Sequence, residues 1–326
     1  MVYGRRTWSL LVRHARYLLS VLLVPALASC ERAATPSERD AGMDVDALRA
    51  DLAYLASPEL DGRVPGSAGD EAARAYVSER FGDLGLGSSS GTQGYAQPFV
   101  DSDGRATANL LGFLPGADDD VGEEIIVLSA HLDHLGNGRL GANDNASGVS
   151  ALLAIAEQLS AGAPLRRTIL FAAFGAEEAG FEGSAAFLAS PPPDVDPSDI
   201  VYNVNLDMIG AYDQTGTVDA LGSMPDTYGR AVLDDLVDAY PELDVGLGDA
   251  SDLSDNATFC TVGVPYVFFW TDDPDCYHET CDTAERIDYE SLASIAGLTM
   301  DLVGALADTE EDLLIAVDAD ADVCGT

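Results

Sequence analysis

The sequence predicts a single α/β domain in which helices cover both faces of a mixed, mostly parallel β-sheet. Three runs of nearly continuous apolar residues, EEIIVLSA, RTILFAAFGA and IVYNVNL, are typical of strands that are buried on both faces. Segments with helical spacing of apolar residues, such as ASGVSALLAIAEQL, lie between these strands. The chain has 326 residues and is 47% apolar, so it is long enough to bury one large core.

The first thirty residues have the layout of an export signal. Four arginines and no acidic residue precede the run YLLSVLLVPALAS, which is shorter than the roughly 20 residues of a membrane-spanning helix. The run ends at LASC, which resembles a bacterial lipoprotein signal with Cys30 as the lipidated first residue. We expect a signal peptide at residues 1–30, a flexible tether at residues 31–43, and an exported protein anchored to the membrane only through Cys30. Ordinary cleavage nearby, which would leave the protein secreted or periplasmic, is the alternative.

Residues 44–308 are expected to form the domain. It begins with two helices, DVDALRADLAYLA and GSAGDEAARAYVSERFGDLGL, with Ser67 as the N-cap of the second. After the three buried strands, VPYVFFW is predicted to add a strand. DYESLASIAGLTMDLVGALAD is predicted to close the fold as a long helix. An acidic tail follows at residues 309–326.

The formal net charge is −40, and the chain contains no lysine. A nucleic-acid-binding protein needs a basic surface, so this charge excludes nucleic acid as a partner. It leaves calcium open as an additional cation, although DADAD at residues 318–322 lacks the glycine and the glutamate of a calcium loop. The sequence carries no signal for an oligomeric state.

An even number of cysteines follows the signal. In an exported chain such a set predicts disulfide bonds rather than free thiols, and three pairings are open. The four residues are Cys260, Cys276, Cys281 and Cys324.

Residue types that bind metals follow all three buried strands. The carboxyl ends of parallel strands share one edge of a sheet, so these side chains are expected to meet in one crevice. Taken singly, each has an ordinary structural interpretation, and the joint pattern is what favours a site. In chain order they are His131, Asp133, Glu177, Glu178 and Asp207.

The donor types limit the metal. Imidazole and carboxylate ligands suit zinc, and a shared carboxylate can hold two zinc ions together. Asp144 lies in a tight turn before a helix and suits this bridging position.

The glycines at 136, 138 and 141 match the dinucleotide pattern GxGxxG, but five residues separate the strand from the first glycine. No acid ends a following strand, so a nicotinamide or flavin site is rejected.

Six segments resemble, in order and spacing, the dizinc metallopeptidase family of bacterial leucine aminopeptidases, glutamate carboxypeptidase and glutaminyl cyclases. The upstream segment SPELDGRVPGS (57–67) extends the likeness, which implies a zinc aminopeptidase-like fold. The six are HLD (131–133), GANDNASG (141–148), FGAEEAGFEGS (174–184), NLDMIG (205–210), SDNATF (254–259) and YHETCDT (277–283).

The resemblance implies two zinc ions per chain and assigns their ligands. His131 and Asp207 would hold one ion. Glu178 and His278 would hold the other, and Asp144 would bridge the two.

The resemblance also implies catalytic roles. Glu177 would be the general base that takes a proton from the attacking water. Tyr277 would donate a hydrogen bond to the tetrahedral oxyanion, with simple packing beside a ligand as the alternative. Asp133 is included among the catalytic residues, because it is expected to accept a hydrogen bond from the second ring N–H of His131. His134 is interpreted as a loop residue or a support, since the five ligand positions are filled without it.

Similar secreted aminopeptidases close a small disulfide at the spacing of CYHETC, so the resemblance implies a bond between Cys276 and Cys281. A structural zinc held by these thiols is the rival interpretation. Cys260 and Cys324 are left as a possible second pair. Asn256 stands where many relatives carry histidine and is expected to alter the substrate pocket. Cys281 also stands at a position where relatives often carry a different residue.

The resemblance implies an aminopeptidase acting on peptides with a free N-terminus. A glutaminyl cyclase-like or carboxypeptidase-like activity remains open, as does a lipid-tethered binding protein without catalysis. Loops between the motifs determine the side-chain specificity, and the motifs do not reveal it.

Overall fold

A β-sheet of eight strands forms the centre of the computed structural model, which describes residues 42–223 and 227–313. The described residues fall in one compact unit. The strands are β1 (Ala96–Val100), β2 (Ala106–Leu114), β3 (Ile125–His131), β4 (Thr168–Phe174), β5 (Ile200–Leu206), β6 (Val218–Leu221), β7 (Val245–Leu247) and β8 (Tyr266–Trp270).

Eight α-helices accompany the sheet in the described ranges. They are α1 (Val45–Leu55), α2 (Ala68–Asp83), α3 (Gly148–Ala161), α4 (Glu182–Ala189), α5 (Tyr212–Thr215), α6 (Tyr228–Leu236), α7 (Asn256–Thr261) and α8 (Tyr289–Asp308).

The strand order is β1-β2-β4-β3-β5-β8-β6-β7, and the central strands β4, β3, β5 and β8 run parallel. Antiparallel pairing occurs on both sides, where β2 joins β1 and β4, and where β6 joins β8. The predicted mixed, mostly parallel sheet is therefore confirmed, with its four predicted strands. The other four strands lie towards the two edges. Three of them, β1, β6 and β7, have five residues or fewer, and the nine-residue β2 pairs antiparallel with both of its neighbours.

Both faces of the sheet are covered, which explains the continuous apolar runs. In β3, Ile126 and Leu128 belong to one core cluster, whereas Val127 belongs to the other. Helices α3 and α8 contribute to the first cluster. Phe187 of α4 and Phe259 of α7 contribute to the second. Alternate side chains of one strand thus enter two separate cores.

The helix boundaries follow the expected capping chemistry. Ser67 is the N-cap of α2, and its hydroxyl accepts a hydrogen bond from the main-chain N–H of Asp70 at 3.1 Å. Among the described residues, α8 is the one helix long and apolar enough to cross a membrane. However, 67% of its apolar window is buried inside the protein. It is therefore the closing core helix that the sequence predicts.

Three sequence-based expectations lie wholly or largely outside the described residues. They concern the signal peptide with Cys30, the tether up to residue 41, and the acidic tail from residue 314. The suggested pairing of Cys260 with Cys324 also involves a residue beyond the described ranges.

Candidate metal centre

The ends of β3, β4 and β5 meet at one edge of the sheet and bring the predicted residues together. His131 is the last residue of β3, and it pairs in register with Phe174 at the end of β4. The two glutamates and Asp207 lie just beyond the ends of β4 and β5. The expected convergence of three strand ends on one crevice is confirmed.

A first cluster consists of His131, Asp144 and Asp207, all of which are buried. The Nε2 atom of His131 lies 3.1 Å from Asp144 Oδ1 and 3.1 Å from Asp207 Oδ1. One imidazole and two carboxylates therefore face a common point.

A second cluster consists of His134, Asp144 and Glu178, and His278 closes it from the other side. The Nε2 atom of His278 lies 3.1 Å from Asp144 Oδ2 and 3.2 Å from Glu178 Oε2. The Nδ1 atom of His134 lies 2.7 Å from Glu178 Oε1 and 3.7 Å from Asp144 Oδ2. Asp144 thus directs one oxygen towards each cluster, which is the geometry of a bridging ligand.

The two clusters fit zinc by donor type and by spacing. Tetrahedral zinc with ligand atoms at about 2.1 Å holds neighbouring ligand atoms about 3.4 Å apart. The nitrogen-to-oxygen distances around His131 and His278 are 3.1 to 3.2 Å. Within the described residues, His134 Nδ1 and Glu178 Oε1 are buried and contact each other at 2.7 Å, with no further hydrogen-bond partner for either atom. Buried polar atoms of this kind are costly unless something such as a cation binds them.

The local sequence GANDNASG holds Asp144 in place. Gly141 adopts a left-handed conformation (φ 65°), and a Cβ atom there would clash with the main-chain carbonyl of Asp144. The main-chain N–H groups of Asn143 and Asp144 donate to the carboxylate of Asp282 at 2.7 and 3.1 Å. Asn145 donates from its side chain to the carbonyl of Leu206 at 2.8 Å, just before Asp207. These contacts link the turn to β5 and to the segment that carries His278.

Asp133 makes different contacts from those expected. Its main-chain carbonyl lies 3.1 Å from Nδ1 of His131, whereas its carboxylate lies 3.9 Å away, beyond hydrogen-bonding range. The carboxylate instead accepts the main-chain N–H groups of Glu177 at 2.9 Å and Glu178 at 3.3 Å. Burial raises the pKa of Asp133 to about 6. The chain turns directly after β3, so the carboxylate points to the neighbouring strand end, where it fixes the turn that carries both glutamates.

A cavity of about 280 Å³ opens beside the clusters. Glu177 borders it, and burial raises the pKa of this carboxyl well above its usual range. Tyr277 is 53% exposed, and its ring stacks on that of His278 with centroids 3.8 Å apart. The lining residues are Asp144, Glu177, Asp207, Met208, Leu253, Phe268, Trp270, Asp272, Tyr277 and His278.

The segment that carries His278 is closed by a disulfide. Cys276 and Cys281 are bonded, as the resemblance implied, so these thiols do not hold a structural zinc. His278 itself has a positive φ of 57°, and Arg139 donates to its carbonyl at 2.9 Å.

Asn256 is buried and donates to the carbonyl of Ser251 at 2.7 Å, but it does not line the cavity.

Two residues near the clusters were underestimated from sequence. His134 was interpreted as a loop residue or a support, yet it is buried against Glu178. Its spacing of three positions from His131 was the available signal. Asp282 lies in the segment YHETCDT, and its contacts with the Asp144 turn depend on a pairing distant in sequence that the motif does not reveal.

Comparisons with known proteins agree with this geometry. A model of the peptidase M28 family matches residues 109–303. An aminopeptidase from Pseudomonas aeruginosa is 29% identical over 198 residues, which cover 52% of this chain and 36% of that protein. Leupeptin-inactivating enzyme 1 from Streptomyces exfoliatus is 27% identical over 292 residues, or 80% of this chain and 61% of that protein. The chain thus spans less than two thirds of either relative.

The fold is also found among solved structures. A zinc aminopeptidase from Bacillus subtilis superimposes with a TM-score of 0.68 at 17% identity. The match covers 86% of this chain and 99% of that one. At this identity the likeness concerns the fold alone.

Zinc binding is expected to release protons. Burial opposes the charged ring of His131, yet the carboxylates of Asp207 and Glu177 raise its pKa well above the usual value. Hydrogen bonds to Asp144 and Glu178 raise the pKa of His278 to about 10. The ring of His278 is therefore protonated at neutral pH without metal, and a metal binds only the neutral ring. Between roughly pH 6 and 8, we expect the Kd for zinc to fall about tenfold or more for each unit by which the pH rises. Calorimetry in buffers of different ionisation enthalpy counts the protons, and a pH-independent affinity would contradict the expectation.

His134→Phe tests the second cluster, because phenylalanine keeps the ring shape and removes both nitrogens. Glu178 then loses one of its two imidazole neighbours. We expect roughly tenfold weaker zinc binding at the second cluster and little change at the first. Competition with a chelator, fitted to two sites, measures both constants. Equal weakening at the two sites would instead indicate a general loss of structure.

Proposed function

The chain belongs to peptidase family M28, and on this premise we propose that it is a two-zinc aminopeptidase that cleaves the first residue from peptides. The observation that carries the proposal is the composition of the cavity beside the two clusters. Its walls combine ligand-type side chains with apolar ones, and among the described residues that line it there is no arginine or lysine.

The charge of the cavity favours a substrate with a free amino group. Asp144 and Asp207 would offset the charge of bound zinc, whereas Asp272 is an exposed acid at the same cavity that the metal assignments do not use, and it can attract a protonated α-amino group. A carboxypeptidase needs a cationic side chain to bind the terminal carboxylate of its substrate. The lining offers acids and histidine, so the amino end of a peptide is the better match.

The metal-binding roles follow from the distances already given. His131 and Asp207 would hold one zinc, Glu178 and His278 the other, and Asp144 both. Bound zinc supplies Lewis acidity, which polarises a carbonyl and makes water a nucleophile near neutral pH. His134 adds an imidazole next to Glu178, and its contact supports the orientation of that carboxylate.

Glu177 suits the role of general base. Its side chain borders the cavity, whereas that of the adjacent Glu178 contacts His134 and His278. Burial raises the pKa of Glu177, which brings its proton affinity closer to the value that proton transfer at neutral pH requires. Asp133 holds the main-chain N–H groups of both glutamates and so keeps the two carboxylates pointing in different directions.

Tyr277 suits the role of hydrogen-bond donor to the oxyanion. Burial and the nearby carboxylates of Asp144 and Glu178 raise its pKa to about 12, so the hydroxyl keeps its proton at neutral pH. Stacking on His278 orients the ring at the rim of the cavity. A neutral phenol at this position can stabilise negative charge that develops on the substrate.

Peptides outside the cytoplasm are the proposed substrates. The basic and apolar segment ending at LASC supports export and attachment through Cys30. The even set of cysteines, of which Cys276 and Cys281 are bonded, is consistent with an oxidising compartment.

Replacing Glu177 by glutamine keeps the shape and removes the proton acceptor. We expect kcat to fall by about 10² to 10⁴ while two zinc ions remain bound. The neighbouring Glu178→Gln variant is the matched control, because it should lose zinc at the second cluster instead. Steady-state kinetics and metal analysis separate the two effects. Wild-type turnover in Glu177→Gln would exclude this residue as the base.

The substrate class is tested with paired aminoacyl chromogenic substrates that have a free or an N-acetylated amino group. We expect hydrolysis of the free form and a loss of at least about tenfold in kcat/KM on acetylation, because the acid-lined cavity then has no cation to bind. Equal rates, or release of C-terminal residues from N-blocked peptides, would overturn the aminopeptidase proposal. Cyclisation of N-terminal glutamine without hydrolysis would identify a cyclase.

A further inference from the structure

The segment SPELDGRVPGS belongs to the family resemblance, yet the proposed function gives it no role. In the structure, Asp61, Gly62 and Arg63 form a tight turn between α1 and α2, all with positive φ (40°, 78° and 57°). A Cβ atom on Gly62 would clash with the main chain of Gly136 and Arg139. The turn therefore packs directly against the loop that joins β3 to the Asp144 turn.

Arg63 extends from this turn into the protein, where it is 1% exposed. Its guanidinium donates to the carbonyls of Leu132 at 2.6 Å, Leu140 at 2.9 Å and Gly141 at 3.0 Å. A further bond reaches Leu55 at the end of α1, at 2.5 Å. Leu132 is adjacent to His131, and Gly141 begins the turn that presents Asp144. One side chain thus connects the two segments that supply the first cluster.

The charge of Arg63 is balanced by the acids of the centre. Burial lowers its pKa to about 10, and the carboxylates of Asp133, Asp144 and Asp282 act in the opposite direction, so it stays charged at neutral pH. A cation near the clusters repels zinc by Coulomb's law. Any gain in metal affinity from Arg63 must therefore come from the geometry that its hydrogen bonds impose.

Asp61 makes a second connection from the same turn. Its Oδ1 accepts the main-chain N–H of Gly138 at 2.9 Å, in the middle of the loop between the two segments. Unlike Arg63, Asp61 is exposed, so it can be replaced without disturbing the core.

We propose that Arg63 is a positioning residue of the metal centre, which holds segments 131–133 and 140–144 at the separation that lets His131 and Asp144 bind one zinc ion. Asp61 supports it through Gly138. The inference rests on the metal assignments of the proposed function. Three hydrogen bonds from Arg63 to these segments, with the fourth fixing its guanidinium to Leu55, keep the site in its binding shape before the metal arrives, so less ordering is needed on binding.

Arg167 provides a matched control for a purely structural arginine. It is 2% exposed and donates to the carbonyls of Leu306, Thr309 and Glu311, near the end of α8 and away from the clusters. A lysine at either position keeps the charge and loses the planar fork of donors. Loss of stability alone would affect Arg63→Lys and Arg167→Lys alike.

The experiment compares zinc dissociation constants, from chelator competition, and the visible spectrum of the cobalt-substituted full-length protein. We expect Arg63→Lys to weaken zinc binding at the first cluster by about tenfold or more and to alter the cobalt spectrum. Arg167→Lys should leave both unchanged, whatever its effect on Tm. Asp61→Gly, which removes the acceptor and suits the positive φ of this position, should weaken binding by a smaller factor, and Asp61→Asn, which keeps an acceptor oxygen, should retain the wild-type affinity.

The proposal would be overturned if folded Arg63→Lys kept the wild-type zinc affinity and cobalt spectrum. It would also be overturned if Arg167→Lys weakened zinc binding and altered the spectrum as much as Arg63→Lys does. If Arg63→Lys does not fold, the Asp61 pair decides, and wild-type zinc affinity in Asp61→Gly overturns the proposal. A wild-type protein that binds zinc without peptidase activity would refute the proposed function alone. Unaltered zinc binding in the variants, with normal wild-type activity, would refute this inference alone.

Discussion

The burial of several carboxylates at one edge of the sheet is the constraint on which the rest of the site depends. Such groups are stable inside a protein only when hydrogen-bond donors or cations surround them. Asp133 is matched by main-chain N–H groups of the Glu177 turn, and Asp282 by those of the Asp144 turn. Oxygens of Asp144, Glu178 and Asp207 face imidazoles, and their spacing leaves two positions suited to divalent cations.

The parallel centre of the sheet makes this concentration possible. Strands β3, β4 and β5 end at the same edge, so acids that are distant in sequence become neighbours. The segments that follow are then fixed from outside the sheet. Arg63 holds the β3 side, Asp282 holds the Asp144 turn, and the disulfide between Cys276 and Cys281 closes the segment of His278. The centre is thus built on a rigid edge and supported by contacts from three directions.

The cavity inherits its chemistry from the same constraint. Acids that serve the clusters also form part of its wall, while Met208, Phe268 and Trp270 supply apolar surface. The proposed preference for a free amino group draws on Asp272, the acid at the cavity that no metal assignment uses. The negative charge of the whole chain, −40, extends the same preference beyond the cavity.

The sequence by itself determined the fold class, the central strands, the capping of α2 and the residues that meet at the strand ends, because apolar periodicity and residue type are local properties. The edge strands escaped prediction, since β6 and β7 have only four and three residues. Tertiary structure alone decided that the Asp133 carboxylate binds the Glu177 turn, that His134 lies against Glu178, and that Arg63 joins two ligand segments. Those contacts depend on how loops turn after the strands and on partners 44 to 78 positions apart in the chain. Side-chain spacing within one segment does not identify such distant partners.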